Sequence, residues 1–413
     1  MQRSVVLCAS LLIPAMMSAC TAFVVNRGGH TFIGNNEDAW SINAQVRFEQ
    51  GREGGYGGVY FGHYNGSPMR VMMDQVGMNE AGLVYDGLRI STHTTAPTPG
   101  LKQLHFDALM PLVMRHCATV QEARAFLKDY DAVLLPSSMI FLADKLGGYL
   151  IIENDTVIEG HDPWYAVGNW RMASCSDPST IPIPRLQDGR QLLLGGEGST
   201  LEEARDVLAK MAVCRRKMGE GTLFSTLFEP GSGKAHLYFY HDFNEVVSFD
   251  LKEELAKGDR TVEMASLFGP RPEYDRLKSY ITPFHQRWLF WALIILAAIV
   301  GVVVGSCLLL VLWWSFRFLR GRPHGSFSDL LLPIAMGTLM IMLIGVMLLN
   351  EGVFYFGLGD VSSWLAWMPA LLLLLVVGWT IRSKRSPGWN RLVGGTILLP
   401  FLVLLGYWGM LWP

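Results

Sequence analysis

At 413 residues the chain has room for two or three domains, and 34 basic against 36 acidic residues leave no global field to attract nucleic acid. Half of the residues are apolar, high for a wholly soluble protein, because the last third is almost free of charge. Composition therefore gives a nucleic-acid partner little support and points to a bilayer.

The chain begins Met1-Gln2-Arg3, runs through an apolar stretch from Val5 to Ala15, and reaches small residues before Cys20. That is the pattern of a secretory signal, too short to span a bilayer as a helix of about 20 residues. Cleavage between Ala19 and Cys20 would create a first residue carrying both a thiol and a free amine. A thiolate is the attacking form of cysteine, and here the base that makes it would belong to the same residue. A second reading competes: Met17-Ser18-Ala19-Cys20 is an imperfect lipobox, and lipidation would consume both groups.

Thr21 to Val25 is β-branched and apolar, Asn26-Arg27-Gly28-Gly29 is turn chemistry, and His30 to Gly34 returns as a strand. The hairpin brings Asn35, Asn36 and Asp38 beside the new terminus. A carboxylate there can orient the amine, and the two amides can hold substrate or neighbouring backbone. Gly51 to Gly66, rich in Gly and Tyr, reads as a pair of short strands or as a mobile aromatic rim over a substrate. Met69 to Met73 and Gly82 to Ile90 read as strands joined through Asn79-Glu80-Ala81-Gly82, where Asn79 serves the turn or the chemistry.

Thr119-Val120-Gln121-Glu122 and Thr200-Leu201-Glu202-Glu203 are capping boxes, each followed by apolar residues at helical spacing. Hairpin signals pair Ser138–Ala143 with Tyr149–Glu153, and Thr222–Phe228 with His236–Tyr240. Gly168-Asn169-Trp170 closes the strand-like stretch Trp164 to Val167. Strands, helix and strands again predict layered α+β packing. The histidines are scattered without paired spacing, so metal catalysis is not expected. Cys117, Cys175 and Cys214 are not spaced as a zinc site; any two could pair in an oxidising compartment, and all three otherwise read as buried free thiols.

Cys20-Thr21, Gly34-Asn35-Asn36-Glu37-Asp38 with Trp40 beyond, Gly77-Met78-Asn79-Glu80-Ala81-Gly82-Leu83 and Gly168-Asn169-Trp170 occur in this order. Over roughly residues 20 to 265 the sequence thereby resembles the linear amide C–N hydrolases of the N-terminal-nucleophile (Ntn) superfamily. That group includes penicillin V acylase, choloylglycine (bile salt) hydrolase, acid ceramidase and the isopenicillin N acyltransferase-like (peptidase C45) branch, which the Asn-Asn-Glu-Asp form resembles most. The resemblance implies a four-layer αββα sandwich with Cys20 opening a central strand, Cys20 as nucleophile, Asp38 as the group that orients its amine, and Asn169 as an oxyanion donor. Two departures count against bile salts and penicillin V as substrates: Asn35 stands where that branch has arginine, and Arg89 where it has a second oxyanion asparagine. Arg89 would either contact a substrate carboxylate or lie on a strand surface.

Beyond Pro283, four apolar stretches, Trp288–Phe316, Leu330–Leu349, Trp364–Ile381 and Leu392–Trp412, have about the length that crosses a bilayer, with Trp at their ends. Arg317, Arg320 and Arg322 occupy the first loop and Arg382, Lys384, Arg385 and Arg391 the third, which places both in the cytoplasm and residues 20–282 outside it. Gly301 and Gly305 suit close helix packing.

The expected organisation is a signal peptide (1–19), an Ntn-type catalytic domain (20–282) and an all-α four-helix membrane domain (283–413). The expected function is an exported, membrane-anchored amidohydrolase acting on a small N-acyl amide without a cofactor. The alternatives are an acyltransferase, which differs only in the second acceptor, or a lipidated, non-catalytic protein that binds an acyl ligand.

Overall fold

The hairpin at the head of the chain forms because Gly28 and Gly29 take the positive φ values (60° and 81°) that its tight turn requires. It joins β1 (Thr21–Arg27) to β2 (His30–Ala39) in the computed structural model, which describes residues 20–39, 43–64, 72–93, 96–103, 106–131, 137–154, 156–213, 221–323, 325, 327–383 and 398–412. The signal peptide, Trp40, Cys214 and the loop with Lys384, Arg385 and Arg391 lie outside the described residues. The described chain divides into two compact units between Ser279 and Tyr280.

In the first unit the strands continue as β3 (Ala44–Glu49), β4 (Gly58–Tyr64), β5 (Met72–Asn79), β6 (Leu83–Arg89), β7 (Ser138–Asp144), β8 (Tyr149–Glu153) and β9 (Thr156–Gly160). They end with β10 (Trp164–Gly168), β11 (Gly221–Glu229), β12 (Lys234–Phe239), β13 (Asp242–Asp250) and β14 (Arg260–Glu263). Two sheets result, ordered β10-β1-β2-β11-β12-β13 and β14-β3-β4-β5-β6-β7-β8-β9, and both are antiparallel. Their inner faces meet through aromatic side chains: Phe61 of β4 lies 5.8 Å from Phe228 of β11, and Phe48 of β3 lies 5.3 Å from Phe249 of β13, between ring centroids. Each fully buried Phe contributes about 1.5–3 kcal/mol of apolar transfer.

Helices cover both outer faces. Along the chain they are α1 (Phe106–His116), α2 (Val120–Leu127), α3 (Pro184–Gly195), α4 (Leu201–Met211), α5 (Leu251–Leu255) and α6 (Pro272–Ser279). Val113 and Met114 of α1 and Val120 and Ala123 of α2 pack on Tyr85, Ile140 and Leu150 of the eight-stranded sheet. Helices α3 and α4 lie against β10, β2 and β11. The unit is thus an α+β sandwich in the order helices, sheet, sheet, helices.

Both capping boxes form helix starts: Thr119 accepts from the Glu122 N–H and Thr200 from the Glu203 N–H. The Gly/Tyr-rich stretch differs from expectation. It supplies only β4, whose partner β3 precedes the stretch and alternates buried Ala44, Val46 and Phe48 with half-buried polar residues. Helix α1 forms although Pro111 lies inside it, because Leu109, Met110, Val113 and Met114 keep the helical spacing of a buried face. Cys117 is a buried free thiol, whereas Cys175 is free but, against expectation, only partly buried.

The second unit contains α7 (Arg287–Leu319), α8 (Ser328–Leu349), α9 (Val353–Phe356), α10 (Met368–Ser383) and α11 (Leu399–Tyr407). Of these, α7 and α8 are long and apolar enough to cross a membrane. The third expected span is shorter, and the fourth is described only from residue 398, so the four-span expectation reduces to two helices of spanning length among the described residues. Gly301 and Gly305 face open space. The close approach of α7 to α8 is instead at Gly337, where an added Cβ would collide with the Val304 side chain. Ahead of α7, the backbone of Ile281 is held from both sides, its N–H donating to Tyr407 Oη at 3.1 Å and its carbonyl accepting from Trp408 Nε1 at 2.8 Å.

Candidate active site

Cys20 directly precedes β1. Since Thr21 pairs with Gly168 on one side and Asn36 on the other, Cys20 stands between Asn169, just past the end of β10, and Glu37 of β2. Strand alternation then sorts the Asn-Asn-Glu-Asp run. Asn35 and Glu37 share the face of Cys20, toward the other sheet, whereas Asn36 and Asp38 face the helices.

The Cys20 sulfur donates to Glu37 Oε2 at 3.4 Å, and Glu37 Oε1 lies 3.2 Å from His63 Nε2 on β4. Cys20 is buried, 6% exposed. Burial first, then the carboxylates of Glu37, Asp38 and Asp86, push its thiol well above the ordinary value, while the backbone N–H of Asp38 opposes them. At rest this sulfur is therefore a protonated thiol whose hydrogen has a carboxylate to go to.

Asn35 donates through Nδ2 to Asp86 Oδ2 of β6 at 2.7 Å. Asn35 Oδ1 and Asp86 Oδ1 are both buried with no hydrogen-bond partner among the described residues. Burial, reinforced by Glu37, raises the Asp86 carboxyl well above its usual range. The gap between the sheets beside Cys20 is thus polar, acidic and supplied with acceptor atoms that a ligand's donors could use.

On the helix side, Asp38 accepts from Thr222 Oγ1 at 2.5 Å and faces Arg185 Nη1 of α3 at 3.0 Å. Asn36 is committed to the scaffold: Nδ2 donates to Thr21 Oγ1 at 3.1 Å and to the Leu208 carbonyl at 3.0 Å, and Oδ1 accepts from Ser225 Oγ at 2.6 Å. Asn79 is similarly committed at the β5–β6 turn, away from Cys20. Its Nδ2 reaches the Met114 and Cys117 carbonyls and its Oδ1 takes the Ala81 and Leu83 N–H groups.

Asn169 Nδ2 donates to the Arg89 carbonyl at 2.7 Å, which leaves one amide hydrogen for another acceptor. The loop that follows is pinned by the fully buried Glu153, which accepts from the Met172 and Ala173 N–H groups at 2.6 and 2.9 Å. The Arg89 side chain is exposed and falls, by alternation, on the α1-facing side of β6, opposite Asp86.

Cys20, Glu37, Asn35 and Asn169 are thus brought together, Asp38 stands behind them, and Asn36, Asn79 and the Arg89 side chain are directed elsewhere. Sequence reasoning assigned no role to Glu37, Asp86 or Arg185 and dismissed His63 with the other histidines. Glu37 was within reach of it: counting the hairpin outward from Gly28-Gly29 sets residue 37 opposite residue 20. His63 and Asp86 carry no such local signal. Among the described residues no group of three or more His, Cys, Asp or Glu is arranged to hold a metal ion.

No family model matches the sequence, and no curated protein matches it. Among solved structures, a variant of conjugated bile acid hydrolase from Clostridium perfringens is similar at 14% identity and a TM-score of 0.47, over 61% of this chain and 99% of that one. A second variant of the same hydrolase gives 14% and 0.46, over 61% and 97%. Penicillin V acylase from Agrobacterium tumefaciens gives 14% and 0.43, over 57% and 88%. Similarity at this level decides nothing about the chemistry of this chain, and the geometry around Cys20 has to carry it.

Proposed function

We propose that the protein is an exported, membrane-anchored amidohydrolase that cleaves a linear, non-peptide C–N amide bond of a small N-acyl substrate, with Cys20 as nucleophile. The observation that carries this reading is the Cys20 thiol, buried at the head of an inner strand between a carboxylate on one side and a side-chain amide on the other. A thiol so held can attack a carbonyl carbon while Asn169 donates its remaining amide hydrogen to the oxyanion. Removal of the leader ahead of Cys20 would free an α-amine at the same residue to move protons, with Asp38 and Arg185 fixing the strand behind it. The acyl-enzyme then passes to water. Burial of the sulfur against Glu37 also speaks against a thioether-linked lipid at this position.

Membrane anchoring rests on α7 and α8 and on the large apolar side chains that α7 leaves exposed, among them Val302, Leu309 and Leu312. The arginines after α7 favour a cytoplasmic first loop. The experiment begins with mass spectrometry of the mature N-terminus and the distribution of the protein between carbonate-washed membranes and supernatant. A panel of N-acyl amides is then assayed with the wild-type protein and Cys20→Ser. A free N-terminal Cys20, membrane retention and hydrolysis lost on Cys20→Ser are expected. A lipidated Cys20, or hydrolysis unchanged by Cys20→Ser, would sink the catalytic reading in favour of an acyl-binding protein, and transfer to an added amine instead of water would identify an acyltransferase.

A further inference from the structure

The hydrogen bond from the nucleophile leads to Glu37, a residue that the N-terminal-amine reading leaves without a task. We propose that Glu37 is a catalytic residue that takes the proton of the Cys20 thiol during attack, and that His63 is a positioning residue that holds the Glu37 carboxylate toward the sulfur. The inference rests on the amidohydrolase reading and divides its proton chemistry between two groups.

Geometry carries the proposal. One Glu37 oxygen lies 3.4 Å from Cys20 Sγ and the other 3.2 Å from His63 Nε2, and the two partners come from different sheets. An ionised carboxylate only accepts, so with both contacts in place the sulfur and Nε2 are the donors. Glu37 and His63 are both shielded, their side chains being 5% and 16% exposed. The other ionisable groups near the sulfur are Asp38, on the opposite face of the same strand and paired with Arg185 of α3, and the buried Asp86 carboxyl on β6. A free thiolate buried beside the Glu37 carboxylate and these acids is strongly disfavoured, so proton loss has to accompany bond formation.

The step balances as follows. As Sγ bonds to the carbonyl carbon, the S–H bond breaks, its proton moves to Glu37 Oε2, and the carbonyl π pair becomes the oxyanion. When the C–N bond breaks, the leaving nitrogen takes a proton from the Cys20 α-ammonium. In deacylation the attacking water gives one proton to the α-amine and its hydroxyl to the acyl carbon. The departing sulfur then recovers its proton from Glu37. One water is consumed, an acid and an amine are released, and the enzyme returns to its starting state.

The test uses the full-length protein in detergent and reads two quantities: kcat on an N-acyl amide, and iodoacetamide labelling of Cys20 against pH, followed on the Cys20 peptide by mass spectrometry. Glu37→Gln is expected to lower kcat by about 10²–10⁴-fold, the span of a general base. It should also shift Cys20 labelling to lower pH, because the negative charge beside the sulfur is gone. A merely structural loss would expose the buried thiol and raise its labelling at every pH, whereas removal of the charge moves the midpoint of the labelling curve to lower pH. Glu37→Asp, which keeps the charge but withdraws the oxygen, should lower kcat without speeding labelling. His63→Gln retains a donor and should keep kcat within about threefold, whereas His63→Phe should lose about tenfold or more with KM unchanged.

An active wild-type protein whose kcat survives Glu37→Gln, or whose Cys20 labels no faster in that variant, overturns the proton assignment alone. A wild-type protein that cleaves no amide, with the labelling shift intact, overturns the amidohydrolase reading and this inference with it. Equal rates in His63→Phe and His63→Gln overturn the positioning role.

Discussion

Asn169 donates its side-chain amide to the backbone carbonyl of Arg89 at 2.7 Å, joining the loop after β10 to the end of β6 in the other sheet. The bond aims one Nδ2 hydrogen away from the site and thereby fixes where the second one points. Only this second hydrogen is left for a developing oxyanion. Asn169→Ala is therefore expected to lower kcat by about 10²–10³-fold with KM changed far less. Steady-state kinetics on a soluble N-acyl amide, with circular dichroism to verify the fold, measures this. A kcat within about threefold of wild type would remove Asn169 from the oxyanion role.

Glu153 gives the same loop a second anchorage. Its buried carboxylate accepts from the Met172 and Ala173 N–H groups just beyond Asn169. Glu153→Leu should cost about 1–3 kcal/mol for the buried Met172 N–H left unsatisfied, read from chemical denaturation. Activity should fall further than the fraction unfolded explains, because the loop bearing Asn169 loses its tie to the eight-stranded sheet. Glu153→Gln, keeping one acceptor oxygen, should fall between.

Asp38 and Arg185 illustrate a buried charge pair in which each partner depends on the other, with side chains only 2% and 13% exposed. Asp38→Ala takes away the carboxylate facing Arg185 Nη1 and should destabilise the fold by about 3–5 kcal/mol. Replacing both residues, as Asp38→Ala with Arg185→Met, should recover a substantial part of that loss. A denaturation series over the two single variants and the double variant isolates the coupling, and strictly additive losses would contradict it.

Asp86 makes stability depend on pH in a stated direction. Its carboxyl is raised above the ordinary value of 3.8 by burial and by Glu37, so the folded state holds a proton that the unfolded chain releases. The associated stability is fully present below the unfolded value and is lost as pH rises toward the folded one. Unfolding free energies at about pH 4 and about pH 7 should therefore differ less in Asp86→Asn than in the wild type. An unchanged difference would mean that Asp86 is ionised in the folded protein.

Much of the scaffold was legible because it depends on neighbours in the chain. The β1–β2 hairpin follows from β-branched runs around Gly28-Gly29, the two capping boxes mark the starts of α2 and α4, and the α+β class follows from the succession of strands and helices. Position opposite Cys20 is likewise a local matter of hairpin register, which brings Glu37 within range of counting. The period of two within Ala44–Glu49 is local in the same way.

What tertiary structure alone decided is which polar side chains meet. His63 reaches Glu37 across 26 residues, Asn35 reaches Asp86 across 51, and Arg185 faces Asp38 from a different layer. Such contacts are set by how two sheets stack and where a helix crosses them, and no local period records either. Within the motif, alternation along β2 turns Glu37 to Cys20 and Asp38 to the helices. The run of amides and acids announced chemistry and hairpin register set Glu37 opposite the sulfur, but only packing against β4, β6 and α3 determined which distant partners these residues hold.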